Sequence, residues 1–377
     1  MLKKEICLII FLSLLLNSFQ KANKKVFEST KIKKMNLKNR IFRASVTDNC
    51  FFQNGHISNE AYKYYDQLSK EGSSIIFTGC SLISRSSLFE KIGRFLIDKD
   101  DYIEEFKKLT DIVHKNNVNL IMQIIHSGEL INNGIEIAYG PSNVFNPLLN
   151  TTNKELTKDD ILKIEEDFVN SAVRAKKFGF DGIDIHSAHL TLLNQFLSPA
   201  FNKRNDEYGG NDENRARIIV EIIEKIRKAV GNDFIISIKI SVNDGIENGI
   251  NENGFLTACK LIEKAGADLI QTSGNYVEHK IKPKNPIFYE QTNKIAEVVN
   301  IPVVLTGGIR DMETMEEILN KSKIQYFGFG RPLLCEPDII KRWEKGERCK
   351  SKCIGCNSCV RKSIHSCSLN KKKKNNI

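Results

Sequence analysis

From about residue 39 onward, short runs rich in Ile, Val and Phe alternate with longer stretches whose apolar residues recur at helical spacing. The strand-like runs are RIFRASV (40–46), SIIFTGCSL (74–82), NLIMQIIH (119–126), GIDIH (182–186), FIISIKIS (234–241), DLIQTSG (268–274), PVVLTGG (302–308) and IQYFGFG (324–330). Between them the pattern predicts helices near 59–71, 101–116, 158–178, 213–229, 254–265, 290–299, 311–320 and 336–344, with Thr157 and Asp160 placed to cap the third. Nearly continuous apolar strands, each followed by a helix, imply a parallel sheet covered on its outer face. Eight such units make an α/β chain that closes as a TIM (β/α)8 barrel. A doubly wound open sheet is the rival, but no G-x-G-x-x-G turn follows the first strand. Segments 127–156 and 187–211 exceed simple connections and read as insertions that build a site.

Charge changes the picture less than its total suggests. The net +10 divides into +6 over residues 1–34 and +10 over 341–377, leaving the body at −6. A nucleic-acid footprint needs a basic face on the folded domain, so no nucleic-acid partner is expected. Residues 1–25 form a leader: two lysines precede an uncharged apolar run of about 14 residues, short for a spanning helix and signal-like. A cleaved signal, an uncleaved anchor and a start-site artefact all fit, and membrane contact is expected only if this leader is retained. Five of ten cysteines crowd residues 349–367, which is no disulfide framework and favours a reducing, cytoplasmic setting over a secreted one. The expected organisation is therefore leader 1–25, barrel 26–345 and a Cys-rich basic tail 346–377.

In a barrel the C-terminal strand ends share one face, and their residues can be read together. They are Ala44 and Thr47, Gly79, Gln123 and His126, His186 and His189, Lys239, Ser273, Gly307 and Gly308, and Gly330 with Arg331. Glycines after strands seven and eight, each leading into a helix and one followed by arginine, suit a phosphate. The planar amide of Gln123 suits the pyrimidine edge of a flavin. Lys239 would put positive charge beside the N1–C2=O edge of its reduced form.

The stretch HSAHLTLLNQFLSPAFNKRNDEYGGNDENRARIIVEI, with LKNRIFRAS, QIIHSG, GADLIQTSG, LTGGIRD and FGFGRPLL, resembles the Old Yellow Enzyme family of FMN-dependent oxidoreductases. The likeness runs from about Phe27 to Cys359, and extends to the N-terminal barrel of dienoyl-CoA reductase. It implies FMN across the strand ends, reduced by NAD(P)H and reoxidised by an activated alkene such as an enone. It further implies that Gln123 and Lys239 hold the isoalloxazine edge, and that Ala44, Thr47, Gly79 and Ser273 line it. The phosphate falls to Gly307, Gly308, Gly330 and Arg331. His186 and His189 match the pair that grips the substrate carbonyl and stabilises the enolate formed as hydride arrives.

The pattern also departs from the family. Many relatives read His-Gly-Tyr where this chain has His189-Leu190-Thr191, so Thr191 stands at the usual proton donor's place with a shorter, less acidic hydroxyl. Water, His126 or Glu129 are the substitutes. The loop charges Arg204, Asp206, Glu207 and Arg215 read as an ion-pair network shaping the insertion. Cys353, Cys356, Cys359 and Cys367 stand closer together than the C-x2-C-x3-C-x11-C of larger relatives, and could hold a [4Fe–4S] cluster, zinc or no metal. Two other readings follow from these departures: a flavin-binding redox relay working through those thiols, and another flavin barrel such as a tRNA dihydrouridine synthase.

Overall fold

The computed structural model describes residues 25–46, 52–53, 56–84, 95–128, 138–146, 151–274, 286–361 and 367. Eight parallel strands close on themselves: β1 Ile41–Arg43, β2 Ile75–Phe77, β3 Asn119–Ile125, β4 Gly182–Ser187, β5 Ile235–Ser241, β6 Leu269–Ser273, β7 Val303–Thr306 and β8 Tyr326–Phe329. Each pairs with the next, and β8 returns to pair with β1, so the barrel has no open edge among these strands. The helices between them are α1 Asn59–Ser69, α2 Ile103–His114, α3 Lys158–Lys177, α4 Asp212–Val230, α5 Glu252–Ala265, α6 Tyr289–Val298, α7 Met312–Lys321 and α8 Ile339–Glu344. This is the TIM barrel that the alternating pattern predicts.

α3 shows why the sequence folds this way locally. Thr157 accepts from the Asp160 amide at 3.2 Å while the Asp160 carboxylate accepts from the Thr157 amide at 2.9 Å, a reciprocal capping box. Ile161, Ile164, Phe168, Ala172 and Ala175 then recur every three or four positions and form the buried stripe facing the strands.

Alternation along the strands sends one set of side chains outward to the helices and the other into the barrel. Ile183 and Ile185 belong to the helix-facing core, together with Ile236, Ile238 and Ile240. The inward set is layered. Its lower layer is apolar: Phe42, Ile75, Phe77, Ile121, Ile235, Leu269, Val304 and Tyr326 pack as one cluster. A hairpin over Thr30–Leu37 closes this end, adding Ile32, Met35 and Leu37, and Thr30 Oγ1 lies 3.0 Å from the Tyr326 hydroxyl. Above it the inward positions become polar, and the chemistry is found there.

The insertion after β4 is fixed by one arginine. Buried Arg204 donates to Asp206 at 2.7 Å, and to the Pro141 and Leu156 carbonyls at 3.0 and 2.7 Å. The expected four-residue network is therefore divided. Arg204 and Asp206 do pair, but Glu207 pairs with Lys158 and Arg215 with Asp212, because Arg204 spends its remaining donors clamping the two insertions together.

Candidate active site

The histidine pair sits where β4 ends. The Ala188 amide donates to His186 Nδ1 at 3.2 Å. An amide nitrogen can only donate, so Nδ1 is the acceptor and the ring proton lies on Nε2. His186 Nε2 is 3.4 Å from His189 Nδ1, and the rings meet edge to face at 80°. At that spacing one oxygen can sit within hydrogen-bond reach of both nitrogens. His189 Nε2 lies 2.8 Å from Ser273 Oγ at the end of β6. A hydroxyl both donates and accepts. When Ser273 donates, His189 carries its proton on Nδ1 and the pair presents two N–H groups.

This placement depends on an unusual turn. His189 and Leu190 both have positive φ, 59° and 63°. Left-handed backbone costs about 1–2 kcal/mol per non-glycine residue. Side chains offset it by satisfying the turn's backbone: Ser241 accepts from the His189 amide, Asn194 from the Leu190 amide, and Gln195 donates to the Leu190 carbonyl. Leu190 is itself buried, which contributes about 1.5–3 kcal/mol. Thr191 closes the turn. Its hydroxyl donates to the Ala188 carbonyl at 2.9 Å and to that of His186 at 3.3 Å, so the donor is engaged by backbone. His126 is no acid either. Burial pushes its pKa down to about 4, and its Nδ1 accepts from the Gly128 amide at 3.1 Å, so at neutral pH it carries no spare proton. Glu129 and Thr47 lie outside the described residues.

Beneath the histidines is a polar layer. Gln123 of β3 donates through Nε2 to Asp184 Oδ2 at 2.7 Å; its Oε1 accepts from Ser45 at 2.9 Å and from the Cys80 thiol at 3.2 Å. Lys239 stands beside His186 in register on β5 and is almost wholly buried. Burial holds its pKa below the usual lysine value, while Asp184 and then Cys80 pull it upward. Gly79 donates its amide to the Tyr65 hydroxyl at 3.3 Å, and Ala44 its amide to the Phe329 carbonyl at 2.9 Å, so both hold strand-end positions.

The residues expected to hold a phosphate leave room for an anion. Gly307 and Gly308 have φ of 112° and 81°, backbone open chiefly to glycine. The neighbouring Thr306 hydroxyl is buried with no partner among the described residues, a donor that could meet a phosphate oxygen. Gly328 makes room for it, since a Cβ there would lie 2.3 Å from Thr306 Oγ1. Arg331 opens a short helix after Gly330, and its guanidinium donates to Asn357 at 2.5 Å, tying this corner to the Cys-rich segment. That segment docks on the barrel: Arg310 donates to the Ser351 carbonyl, Trp343 to that of Cys349, and Glu336 accepts from Arg342, Ser351 and the Lys352 amide.

Cys353, Cys356 and Cys359 are partly buried and Cys367 is buried, all as free thiols. A fifth thiol joins them: Cys335 is pushed up to about 12 by burial and by a hydrogen bond with Cys367. Among the described residues no group of three or more His, Cys, Asp or Glu is arranged to hold a metal. Two grooves of about 600 and 410 Å³ open at the opposite, N-terminal ends of the strands, around Arg40 and Gln325 and around Asn119 and Ile235. They carry none of this chemistry.

Residues 25–349 match the model of the NADH:flavin oxidoreductase / NADH oxidase family. The chain belongs to that family. That membership agrees with the resemblance carried by the strand-end motifs. It is 32% identical over 342 residues to an NADH oxidase of Thermoanaerobacter brockii, covering 88% of this chain and 52% of that protein. It is also 32% identical to an NADPH dehydrogenase of Clostridium acetobutylicum, covering 84% and 93%. The solved old yellow enzyme homologue from Zymomonas mobilis superposes with a TM-score of 0.76 at 24% identity, over 86% and 94% of the two chains, which shows the shared fold. The chain spans about half the length of the first curated relatives it matches.

Asp184, Ser237, Gln271, Thr306 and Cys335 were not picked out from sequence as site residues. A signal existed for the first three. IDIH and ISIKIS place polar residues at every second position of an apolar run, and IQTS adds Gln271 and Ser273 at the same spacing, so one face of β4, β5 and β6 is polar.

Proposed function

We propose that this protein transfers hydride from NAD(P)H through FMN to an activated alkene such as an α,β-unsaturated carbonyl. The observation that carries the reading is the histidine pair, two nitrogens 3.4 Å apart at the strand ends, above Gln123 and beside Lys239. Bound FMN supplies the hydride relay, in from the nicotinamide and out to the alkene's β-carbon. Gln123 and Lys239 would meet its pyrimidine edge, with Ala44, Thr47 and Gly79 alongside. Gly307, Gly308, Gly330 and Arg331 would hold its phosphate, joined by Thr306. His186 and His189 donate to the substrate carbonyl and stabilise the negative charge that grows there as hydride arrives. Ser273, which sequence placed against the flavin, pairs here with His189 Nε2 and, when it donates, leaves the His189 proton on Nδ1. The α-carbon's proton comes from neither Thr191 nor His126, which leaves water or Glu129.

The C-terminal thiols support a second, narrower proposal. Burial raises the pKa of Cys335, Cys353 and Cys359, and Cys367 lies near enough to all three to add to the rise, a clustering of thiols that zinc or an iron–sulfur cluster would draw together. Among the described residues no helix is long and apolar enough to cross a membrane; the leader lies outside them, and a cytoplasmic location remains the reading from cysteine usage. The deciding experiment is anaerobic purification followed by an absorption spectrum and NAD(P)H–enone turnover. Flavin bands with turnover support the main reading. Colourless protein that takes up no added FMN overturns it, and flavin without enone turnover favours the redox relay.

A further inference from the structure

Asp184 is a carboxylate in the middle of a barrel, fully buried, and it reaches no surface. Three side chains from three strands converge on it: Gln123 Nε2 at 2.7 Å on Oδ2, with Ser237 Oγ at 2.7 Å and Gln271 Nε2 at 2.8 Å on Oδ1. Burial pushes its proton affinity up, while Lys239 and these donors act the other way. Two of the three are amide nitrogens, which can only donate, so the arrangement suits an acceptor with both oxygens free of protons.

We propose that Asp184 is a positioning residue for the flavin's pyrimidine edge: it fixes the orientation of the Gln123 amide and supplies the counter-charge that keeps Lys239 protonated. The inference rests on the FMN reading above and adds a residue that never touches the cofactor. A primary amide can flip, and in water both orientations cost the same. Here Asp184 accepts and never donates, so Nε2 turns down to it and Oε1 is left with the donors Ser45 and Cys80 at the strand ends. An oxygen there is complementary to an imide N–H. A flipped amide would set Oε1 against the carboxylate and present a donor instead.

Lys239 needs the same residue for a different reason. An ammonium so deeply buried loses most of its hydration, and burial lowers its proton affinity. Among the described residues the charged or titratable groups around it are Asp184 and His186 from β4, His189 in the turn after it, Cys80 after β2 and His126 after β3; β6 contributes the uncharged Gln271 and Ser273. His186 accepts at Nδ1 and burial holds His126 neutral, so Asp184 is the carboxylate of that set that can balance the ammonium.

The test uses the full-length protein with Asp184→Asn, a near-isosteric change. In apoprotein, the Lys239 Nζ midpoint is followed by ¹³Cε/¹⁵Nζ NMR, with Lys239→Arg identifying the signal. Loss of the counter-charge lowers that midpoint by about one unit or more. FMN then binds roughly tenfold or more weakly, and the loss grows as pH rises through the lowered midpoint. Adding Lys239→Arg to Asp184→Asn restores a permanent cation and removes the pH dependence, while the loss due to the freed amide stays. A packing defect alone would not respond to that second change. An Asn variant with wild-type melting temperature whose Lys239 midpoint and FMN affinity are both unchanged overturns the inference. So does a wild-type Asp184 whose ¹³Cγ shift reports a protonated carboxyl between pH 6 and 8, a measurement that needs no variant. Wild-type protein that binds no FMN overturns the functional reading instead, and the Lys239 midpoint still tells whether Asp184 holds its charge.

Discussion

The two halves of the barrel interior are built from the same eight strands and obey opposite rules. In the lower half Phe42, Phe77, Ile121, Ile235, Leu269, Val304 and Tyr326 fill the space, with Phe42 and Tyr326 stacked at 4.7 Å. Two residues further along the same strands stand Gln123 after Ile121, Ser237 after Ile235, Gln271 after Leu269, Thr306 after Val304 and Gly328 after Tyr326. The lower layer gains from excluding water. The upper layer loses by it unless every polar group finds a partner, and most of its groups find theirs in one another. Stability and chemistry are thus separated along the strand axis by a single pleat.

The separation can be broken from below. Phe42→Ala removes a fully buried ring and should cost about 3–5 kcal/mol of stability. The variant that still folds should bind FMN nearly as well as wild type, which chemical denaturation alongside flavin titration would check. A large loss of FMN affinity at unchanged stability would mean that the halves are not independent. From above, the double change His186→Ala and His189→Ala should slow enone reduction by about 10²-fold or more while flavin stays bound. Rapid-mixing kinetics separates the half-reactions, and only the one that oxidises the flavin should suffer.

Two smaller effects sharpen the contrast. Arg331→Ala should weaken FMN binding by roughly ten- to a hundredfold through loss of a charge-assisted phosphate contact. Asn357→Ala, which removes only the tail's hold on that guanidinium, should change it little; equal losses would assign the tail a share of the site. Thr191→Val should cost about 1 kcal/mol of stability, the value of a hydroxyl bonded to backbone, and leave enone turnover almost unchanged. A marked fall in turnover would return Thr191 to catalysis.

Much of this was legible in the sequence, for physical reasons. Barrel strands buried on both sides are nearly continuous apolar runs, and the helices between them carry a 3.6-residue stripe, so the architecture and the order of elements follow from periodicity, whereas ends do not: the run 74–82 is a barrel strand only over Ile75–Phe77. The histidines, Gln123, Lys239 and the glycine pairs stand out because polar or achiral residues at strand ends have few structural uses. Asp184, Gln271 and Ser237 were harder, because inside a strand they resemble isolated interruptions until the neighbouring strands' registers are known. The left-handed turn at His189 and Leu190 was not legible, since nothing in a leucine announces positive φ; side chains from β5 and the helix after the turn enforce it. The division of the Arg204 network depends likewise on carbonyls that sequence does not place.

The closure of β8 onto β1 has a consequence for biosynthesis. Phe327 pairs with Ile41 and Phe329 with Arg43, so the first strand emerges from the ribosome long before its second neighbour exists. At about 5–20 residues per second, that interval is on the order of 15–60 s. During it the inward face of β1 and one hydrogen-bonding edge have no final partner, a state in which such chains need shielding from aggregation. Thr306, Gly307, Gly308, Gly330 and Arg331 all belong to the last two units of the barrel. If they hold the phosphate as proposed, cofactor capture waits for barrel closure, and a bound flavin marks a chain whose ring has closed.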